Sequence, residues 1–206
     1  MKKILISQNI KINQYGELIH IIEDNWYKYL SRKKVILIPV FDEKKIADVF
    51  KYAKPDGVIF SGGNSLSKFH KNKENNIRDK FEKKLLIETF RRNIPVLGVC
   101  RGFQFIADYF GAKIKKTENH VKPNHRIVLS DDVFLNQIIN VNSYHNYSIK
   151  NLDRKFEIIG KHSDGSIEIA RFKKKKVFCT MFHPERKNQS QKIIDKLIKK
   201  NFLDKI

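Results

Sequence analysis

Short, continuous apolar runs constrain the fold of this chain more than any other feature. Each run is rich in β-branched residues and lacks the alternation of polar and apolar positions that a strand with one wet face shows. Each is therefore predicted to form a buried parallel strand. The runs are Ile4–Ser7, Val35–Val40, Val58–Ser61 and Pro95–Val99.

Helical patterns separate these runs. Apolar residues recur at helical spacing in Glu17–Leu30, Glu43–Tyr52 and Asn76–Arg92, and another amphipathic stretch begins beside Cys100. Alternating strands and helices predict an α/β fold with a doubly wound, mostly parallel sheet flanked by helices. At 206 residues the chain is expected to form one domain, residues 1–206.

The C-terminal part has a different pattern. Short apolar segments with turn signals between them predict a smaller antiparallel sheet region in the C-terminal half. These segments read RIVLS, FEIIGKH, SIEIARF and VFCTMF, and a last helix is predicted from Gln189 to about Phe202. The polar stretch Ser65–Asn76 is the best candidate for a mobile surface loop.

Charge and hydropathy narrow the range of partners. The formal net charge of +20 is compatible with a polyanionic partner, but the lysines are scattered and no nucleic-acid-binding module accompanies them, so no nucleic-acid partner is expected. The longest apolar runs are too short for a membrane span, and Ile4–Ile6 is too short for a signal peptide. A cytoplasmic location is therefore expected, and a homo-oligomer stays open.

One of the two cysteines lies where a predicted strand turns into a helix. Gly98 and Gly102 flank Cys100 in a pattern that suits a nucleophile elbow, because residues without Cβ permit a sharp turn and close helix packing. The amides at the start of the helix would stabilise a thiolate. The alternative is a buried structural cysteine. Cys179 lies far away, so neither a disulfide framework nor a zinc site is indicated.

Two further motifs could complete a nucleophilic site. His183 and Glu185 in FHPER are two positions apart, so on an extended segment the carboxylate can orient the imidazole. Amides of Gly62 or Gly63, together with that of Arg101, could form an oxyanion hole. The alternatives are a surface pair and an ordinary glycine turn.

Together, GVCRGFQ, SGGNS and FHPE resemble motifs of the class I glutamine amidotransferase family, and especially its free-standing γ-glutamyl hydrolase branch. The resemblance covers residues from about 58 to 186. It implies Cys100 as nucleophile, His183 as acid/base and Glu185 as the group that orients it. It further implies the backbone amides of Gly63 and Arg101 at the oxyanion. The substrate-binding residues that it implies are Gly62, Gln104, Asn142, Ser143, Tyr144 and His145.

The resemblance also implies a reaction: hydrolysis of a γ-glutamyl amide through a glutamyl thioester, with no metal or organic cofactor. The implied partner is a small-molecule γ-glutamyl substrate, with a nucleotide-linked amide that releases cytidine diphosphoramidate as the first candidate. Arg101, Lys68 and Lys71 could then contact its diphosphate, although solvated surface lysines are the alternative.

Other functions stay open at this stage. One is a glutaminase subunit that delivers ammonia to a synthetase partner, and another is hydrolysis of a different γ-glutamyl amine. A non-catalytic binding protein on the same scaffold is a third. Ser61 stands where many members of the family have proline, which is a departure from the pattern of the oxyanion loop. His120 and His125 have a spacing that fits no zinc pattern, so they are interpreted as loop histidines near the site.

Overall fold

The computed structural model describes residues 1–118, 120–121, 124–172 and 174–206. Its strands in chain order are β1 Lys2–Ser7, β2 Asn9–Ile12, β3 Leu18–Ile21, β4 Val35–Val40, β5 Gly57–Phe60, β6 Val96–Val99, β7 Ile114–Lys116, β8 His125–Leu129, β9 Ile138–Val141, β10 Tyr147–Ile149, β11 Phe156–His162, β12 Ile167–Phe172 and β13 Val177–Thr180. Its α-helices are α1 Asp24–Ser31, α2 Ile46–Ala53, α3 Lys73–Arg91, α4 Arg101–Tyr109 and α5 Gln191–Asn201.

A nine-stranded mixed sheet forms the centre of the fold, in the order β4-β1-β5-β6-β13-β12-β11-β8-β9. The strands from β4 to β6 pair in parallel, as their apolar runs predict. Every residue of β5 and β6 is buried, because helices cover both faces of this half. The predicted α/β architecture is therefore confirmed.

The C-terminal strands extend the same sheet in antiparallel fashion. β13 is the junction, since it pairs in parallel with β6 and antiparallel with β12. β12, β11, β8 and β9 continue outward in antiparallel pairs. Two small antiparallel pairs, β2 with β3 and β7 with β10, lie outside this sheet. Residues that follow β13 therefore lie where the parallel and antiparallel halves meet.

The predicted helix Glu17–Leu30 is wrong in its first half. Residues 18–21 form strand β3 of a hairpin with β2, and the helix begins only at Asp24. The turn explains the difference: the Asn13 side chain accepts hydrogen bonds from the amides of Tyr15 and Glu17, both at 2.9 Å, and Gly16 adopts a φ of +80°. A side-chain-stabilised turn of this kind favours strand pairing over a helix.

Helix α3 begins earlier than predicted. Its first residue is Lys73, and the side chain of Asn72 caps it by accepting a hydrogen bond from the amide of Asn75. The last residues of the predicted loop Ser65–Asn76 are thus helical. This helix carries Arg78 and Glu82, both completely buried, toward the end of β5.

Two apolar clusters pack against the sheet. One includes Phe60, Phe81 and Phe103, together with the completely buried Cys179. The other includes Trp26 and Leu197 from helices α1 and α5. Within the described ranges, none of the helices combines the length and the apolar character that crossing a bilayer would require.

Candidate active site

Cys100 lies in a strained turn between β6 and α4. Its φ of +52° is unusual for a residue with a Cβ, and its amide donates to the carbonyl of Thr180 at 2.7 Å. A Cβ on Gly102 would lie 2.0 Å from the carbonyl oxygen of Phe60, and one on Gly98 would lie 2.9 Å from Cys179 Sγ. The flanking glycines therefore allow α4 to pack directly on the sheet beneath the cysteine, which is the geometry of a nucleophile elbow.

His183 and Glu185 form a buried pair beside Cys100. Nδ1 of the imidazole lies 2.6 Å from Oε1 of Glu185, and the ring lines the same cavity as Cys100. Burial lowers the pKa of His183, but the charges of Glu185 and Cys100 outweigh this effect and raise the pKa to about 10. The imidazole is therefore protonated at neutral pH and is held between a carboxylate and a nucleophile.

An amide side chain fixes the backbone of the histidine. Asn142 Oδ1 accepts from the amide of His183 at 2.9 Å, and Asn142 Nδ2 donates to the carbonyl of the same residue at 2.9 Å. Asn188 adds a hydrogen bond from its Nδ2 to that carbonyl at 3.0 Å. Asn142 thus positions the imidazole, while its predicted contact with substrate remains a prediction.

The glycine pair after β5 faces the imidazole and the elbow. A Cβ on Gly62 would lie 2.5 Å from Cε1 of His183, and Gly63 has a φ of +82°. Arg101 is the first residue of α4, so its amide has no acceptor within the helix. Gly63, Cys100, Arg101 and His183 line one cavity of about 130 Å³. This placement suits the predicted oxyanion hole.

A buried ionic network holds the glycine loop in place. The guanidinium of Arg78 donates to the carbonyls of Gly62 at 3.0 Å and Ser61 at 2.7 Å, and also to Glu82 at 2.9 Å. The Ser61 hydroxyl donates to the carbonyl of Ser7 at 2.6 Å. Ser61 is therefore anchored by hydrogen bonds.

The side chain of Arg101 belongs to this network. Its guanidinium is ion-paired with Asp79 and Glu82, and the residue is only 1% exposed. The prediction that this guanidinium faces the substrate is therefore wrong, although the role of its backbone amide stands as a prediction. Lys68, similarly, pairs with Asp108, whereas Lys71 is exposed.

The hairpin β2–β3 also supports the glycine loop, and the sequence does not indicate this contact. Asn64 Oδ1 accepts from the amide of Ile10, and Asn64 Nδ2 donates to its carbonyl, both at 2.9 Å. A Cβ on Gly63 would lie 2.6 Å from Nδ2 of Asn9. The hairpin is therefore packed through β2 against a wall of the cavity, and β3, in the segment wrongly predicted to be helical, pairs with that strand.

The segment from Asn142 to Tyr147 forms the opposite wall. Tyr144, His145 and Tyr147 line the cavity, and the Tyr144 ring lies edge-on to that of His183 with centroids 6.0 Å apart. Gln104 also lines the cavity, and its Nε2 donates to the carbonyl of Tyr147 at 3.0 Å. Ser143 is buried, and its hydroxyl donates to the carbonyl of His120.

Arg186 is a cavity residue that the sequence interpretation missed. Its guanidinium lies over the Tyr144 ring, 4.7 Å from the centroid, and its Nε donates to Glu23 Oε2 at 3.0 Å. Its side chain is 24% exposed, in contrast to the sequestered Arg101. Its position directly after the FHPE motif was the sequence feature that could have indicated its place in the cavity.

Comparison with known proteins identifies the family. The family model for class-I glutamine amidotransferases matches residues 12–204. A gamma-glutamyl-CDP-amidate hydrolase of Campylobacter jejuni is 37% identical over 131 residues, which are 64% of this chain and 62% of that protein. The match therefore spans less than two thirds of the length of that relative.

Two other similarities point to the same family. One subunit of the glutamine-hydrolysing GMP synthase of Pyrococcus furiosus is 30% identical over 175 residues, covering 80% of this chain and 88% of that protein. The solved structure of a glutamine amidotransferase from Thermotoga maritima shares the fold, with a TM-score of 0.67 at 17% identity over 99% of this chain and 85% of that one. The chain belongs to the class-I glutamine amidotransferase family.

Proposed function

We propose that this enzyme hydrolyses a γ-glutamyl amide through a glutamyl thioester on Cys100. One observation carries the proposal: Cys100 stands at a positive φ before α4 and shares a cavity with Gly63 of the oxyanion loop and with His183, whose Nδ1 is paired with Glu185. Nucleophile, acid/base and carboxylate are thereby arranged as acyl transfer requires.

In the first half-reaction the Cys100 thiolate attacks the γ-carbonyl carbon and forms a C–S bond. The amides of Gly63 and Arg101 stabilise the tetrahedral oxyanion. His183 donates its proton to the leaving nitrogen as the C–N bond breaks, which releases the amine. Glu185 accepts a hydrogen bond from Nδ1, so that the proton transferred is the one on Nε2.

In the second half-reaction water attacks the thioester. Acylation removes the negative charge on sulfur, and this charge is one of the causes of the raised pKa of His183. The imidazole is therefore a better proton acceptor at this stage, and it takes a proton from the attacking water. Collapse of the second tetrahedral intermediate releases glutamate and restores the thiolate and imidazolium.

The leaving group is proposed to be a nucleotide-linked amine, with γ-glutamyl-CDP-amidate as the substrate. The name of the Campylobacter relative supports this choice. Because the guanidinium of Arg101 is sequestered, Arg186 is the cavity arginine that we assign to the diphosphate. Arginine suits this role because its planar donors match phosphate oxygens.

A glutaminase subunit is the second candidate. The similarity to the Pyrococcus GMP synthase protein favours it, since the name of that protein describes glutamine hydrolysis as part of a synthetase. Such a subunit would release ammonia to a synthetase partner and would turn over glutamine slowly when alone.

Separate incubations with γ-glutamyl-CDP-amidate, γ-glutamyl amines and glutamine, each followed by assay of glutamate, decide between the candidates. We expect the nucleotide-linked substrate to give the highest kcat/KM. Equal or better turnover of glutamine would overturn the nucleotide assignment while leaving the hydrolase mechanism in place.

A matched pair of variants tests the role of Arg186. Arg186→Gln removes the guanidinium and should raise KM for γ-glutamyl-CDP-amidate by about tenfold or more, with a smaller change for glutamine. Glu23→Gln removes the partner of Arg186 but keeps the guanidinium, so KM should stay the same or fall. Equal KM changes for both substrates in Arg186→Gln would contradict the assignment.

A further inference from the structure

Four buried potential ligand residues meet in the antiparallel half of the fold, next to the cavity. They are His120, His125, His145 and Glu168, and one potential ligand atom from each lies within 4.8 Å of the other three. His125 begins β8 and Glu168 lies in β12, while His120 and His145 lie in the segments before β8 and β10. Their separation along the sequence explains why no zinc pattern was recognisable.

The cluster has unsatisfied polar atoms. Within the part of the chain that the structure describes, buried atoms without a hydrogen-bond partner occur in each member: His120 Nδ1, both ring nitrogens of His125, His145 Nε2 and Glu168 Oε2. Leaving such groups buried and unpaired costs about 1–3 kcal/mol each, and more for a charged group. A cation bound by one nitrogen of each histidine and by the Glu168 carboxylate would give each of the four residues a partner.

The opposite ring nitrogens of two histidines are already occupied. His145 Nδ1 lies 3.1 Å from the carbonyl of Tyr147, which can only accept, so Nδ1 carries the proton and Nε2 presents a lone pair. His120 Nε2 lies 3.2 Å from Asp164 Oδ2. A second partner that fixes the tautomer and orients the ring is typical of metal-binding histidines.

The distances and the donor types suit a small divalent ion. His125 Nδ1 and His145 Nε2 lie 3.3 and 3.6 Å from Glu168 Oε1. Four ligands at about 2.0–2.1 Å around a tetrahedral zinc ion would stand about 3.4 Å apart, so modest side-chain movement completes the site. Three imidazoles and one carboxylate leave no open position on such an ion, which is the pattern of a structural centre.

We infer that His120, His125, His145 and Glu168 form a structural site for a divalent transition metal of the zinc type. The ion would tie two strands of the sheet to the segment that lines the cavity, since His145 itself lines it. The carbonyl of Tyr147 accepts from Gln104 as well as from His145, so the same segment is joined to the catalytic helix. The site would therefore hold the wall opposite Cys100 in position.

Zinc titration of the full chain tests the site. Because Cys100 and His183 could also bind zinc, the Cys100→Ala chain is titrated beside the unmodified one. We expect one zinc per chain in both, by elemental analysis after dialysis. Cobalt substitution should give the visible absorption of a tetrahedral centre, and removal of metal should lower the unfolding temperature. Substoichiometric zinc in both chains would overturn the inference.

Ligand variants locate the ion. Glu168→Gln and His120→Gln should each weaken zinc binding by about 100-fold or more. The controls are Glu157→Gln, which removes a carboxylate paired with Arg171, and His20→Gln, which removes a histidine packed on Phe41 beside the opposite edge of the sheet. Stoichiometric tight binding in both ligand variants would overturn the site. His120 lies outside the strands, so it provides a test if Glu168→Gln does not fold.

Discussion

The two walls of the catalytic cavity are built in different ways. The parallel side, formed by residues 61–64 and Cys100–Gln104, follows the ends of β5 and β6, and its shape depends on glycines packed against backbone and ring atoms. The antiparallel side, formed by residues 142–147, is held by side-chain contacts: Asn142 to His183, Ser143 to the His120 carbonyl and Gln104 to the Tyr147 carbonyl.

This difference separates two requirements of an acyl-transfer enzyme. The reacting groups need a fixed geometry, which close packing at strand ends provides. Recognition of a variable leaving group needs a wall whose side chains can be exchanged without disturbing the elbow. His183 and Glu185 follow β13, the strand that pairs with both halves, so the proposed acid/base group lies between the two walls.

Removing the nucleophile should have the largest effect on turnover. The change is confined to a residue of the parallel wall and should leave the antiparallel wall intact. Cys100→Ala should lower kcat by about 10⁴-fold or more, because no thioester can form. Glutamate release measures turnover, and thermal unfolding should show a retained fold. Cys179→Ala, which removes the other buried thiol, should keep kcat within a few-fold. Retained turnover in Cys100→Ala would remove the nucleophile assignment.

Replacing the orienting carboxylate should have the next largest effect. Glu185→Gln should lower kcat by about 10³–10⁴-fold, since the amide can favour the wrong tautomer and no charge supports the imidazolium. Glu185 raises the pKa of His183, so the variant should have a lower pKa at this histidine. As the pH is raised, activity that needs the protonated imidazole should therefore disappear at a lower pH in the variant than in the unmodified chain. A pH profile of kcat checks this. An unchanged profile and kcat would show that Glu185 is only a neighbour.

The buried network behind the parallel side should contribute mainly stability. Glu82→Gln leaves Arg78 and Arg101 without their shared carboxylate and should lower the free energy of unfolding by about 3–5 kcal/mol. Burial raises the pKa of Glu82, but the charges of Arg101 and Arg78 outweigh this effect and lower the pKa. The stabilisation is thus complete above its ordinary value of 4.5 and is lost as the pH falls below that value.

Denaturant unfolding at several pH values measures this contribution. The difference between the unmodified chain and Glu82→Gln should be constant near neutrality and shrink in acid. Glu43→Gln is the control, because its pair with Lys84 is exposed and should contribute under about 1 kcal/mol. A difference that stays constant down to strongly acidic pH would contradict the assigned charge state.

The smallest effects are expected from two glycine variants, each of which adds a single methyl group to the chain. An alanine Cβ at Gly62 would lie 2.5 Å from Cε1 of His183, and one at Gly160 of β11 would lie 2.6 Å from Cγ2 of Ile127. Gly62→Ala should lower kcat by about 10- to 100-fold by moving the imidazole. Gly160→Ala should lower stability by about 1–3 kcal/mol with little change in kcat. Equal effects on kcat would contradict the assignment of Gly62 to the wall that positions the imidazole.

The sequence predicted the parallel side well because its information is contiguous. Four apolar runs identified β1, β4, β5 and β6, and the glycines around Cys100 identified the elbow within a single short stretch. The hairpin β2–β3 was missed because Leu18, Ile21 and Ile22 fit helical spacing, whereas the Asn13 turn and the packing on Gly63 decide the outcome.

The remaining features depend on residues that are distant in the sequence. The direction of the Arg101 side chain is set by Asp79 and Glu82 on α3, which no local pattern reveals. The histidine and glutamate cluster joins four segments. His120 and His125 were therefore interpreted as loop histidines and His145 as a substrate-binding residue, while no local pattern singled out Glu168. Side-chain partners across the fold, rather than local propensity, account for each of these differences.

The contrast between the two cysteines has a practical consequence. Cys179 is completely buried, and burial raises the pKa of its thiol, so it should resist alkylation in the folded protein. Cys100 opens onto the cavity. Chains that gain the mass of one carbamidomethyl group from iodoacetamide would therefore be folded molecules with an accessible Cys100. Chains that gain the mass of two groups would be unfolded molecules in the same sample, because Cys179 has reacted as well. The native sequence thus provides its own active-site titration without engineered labels.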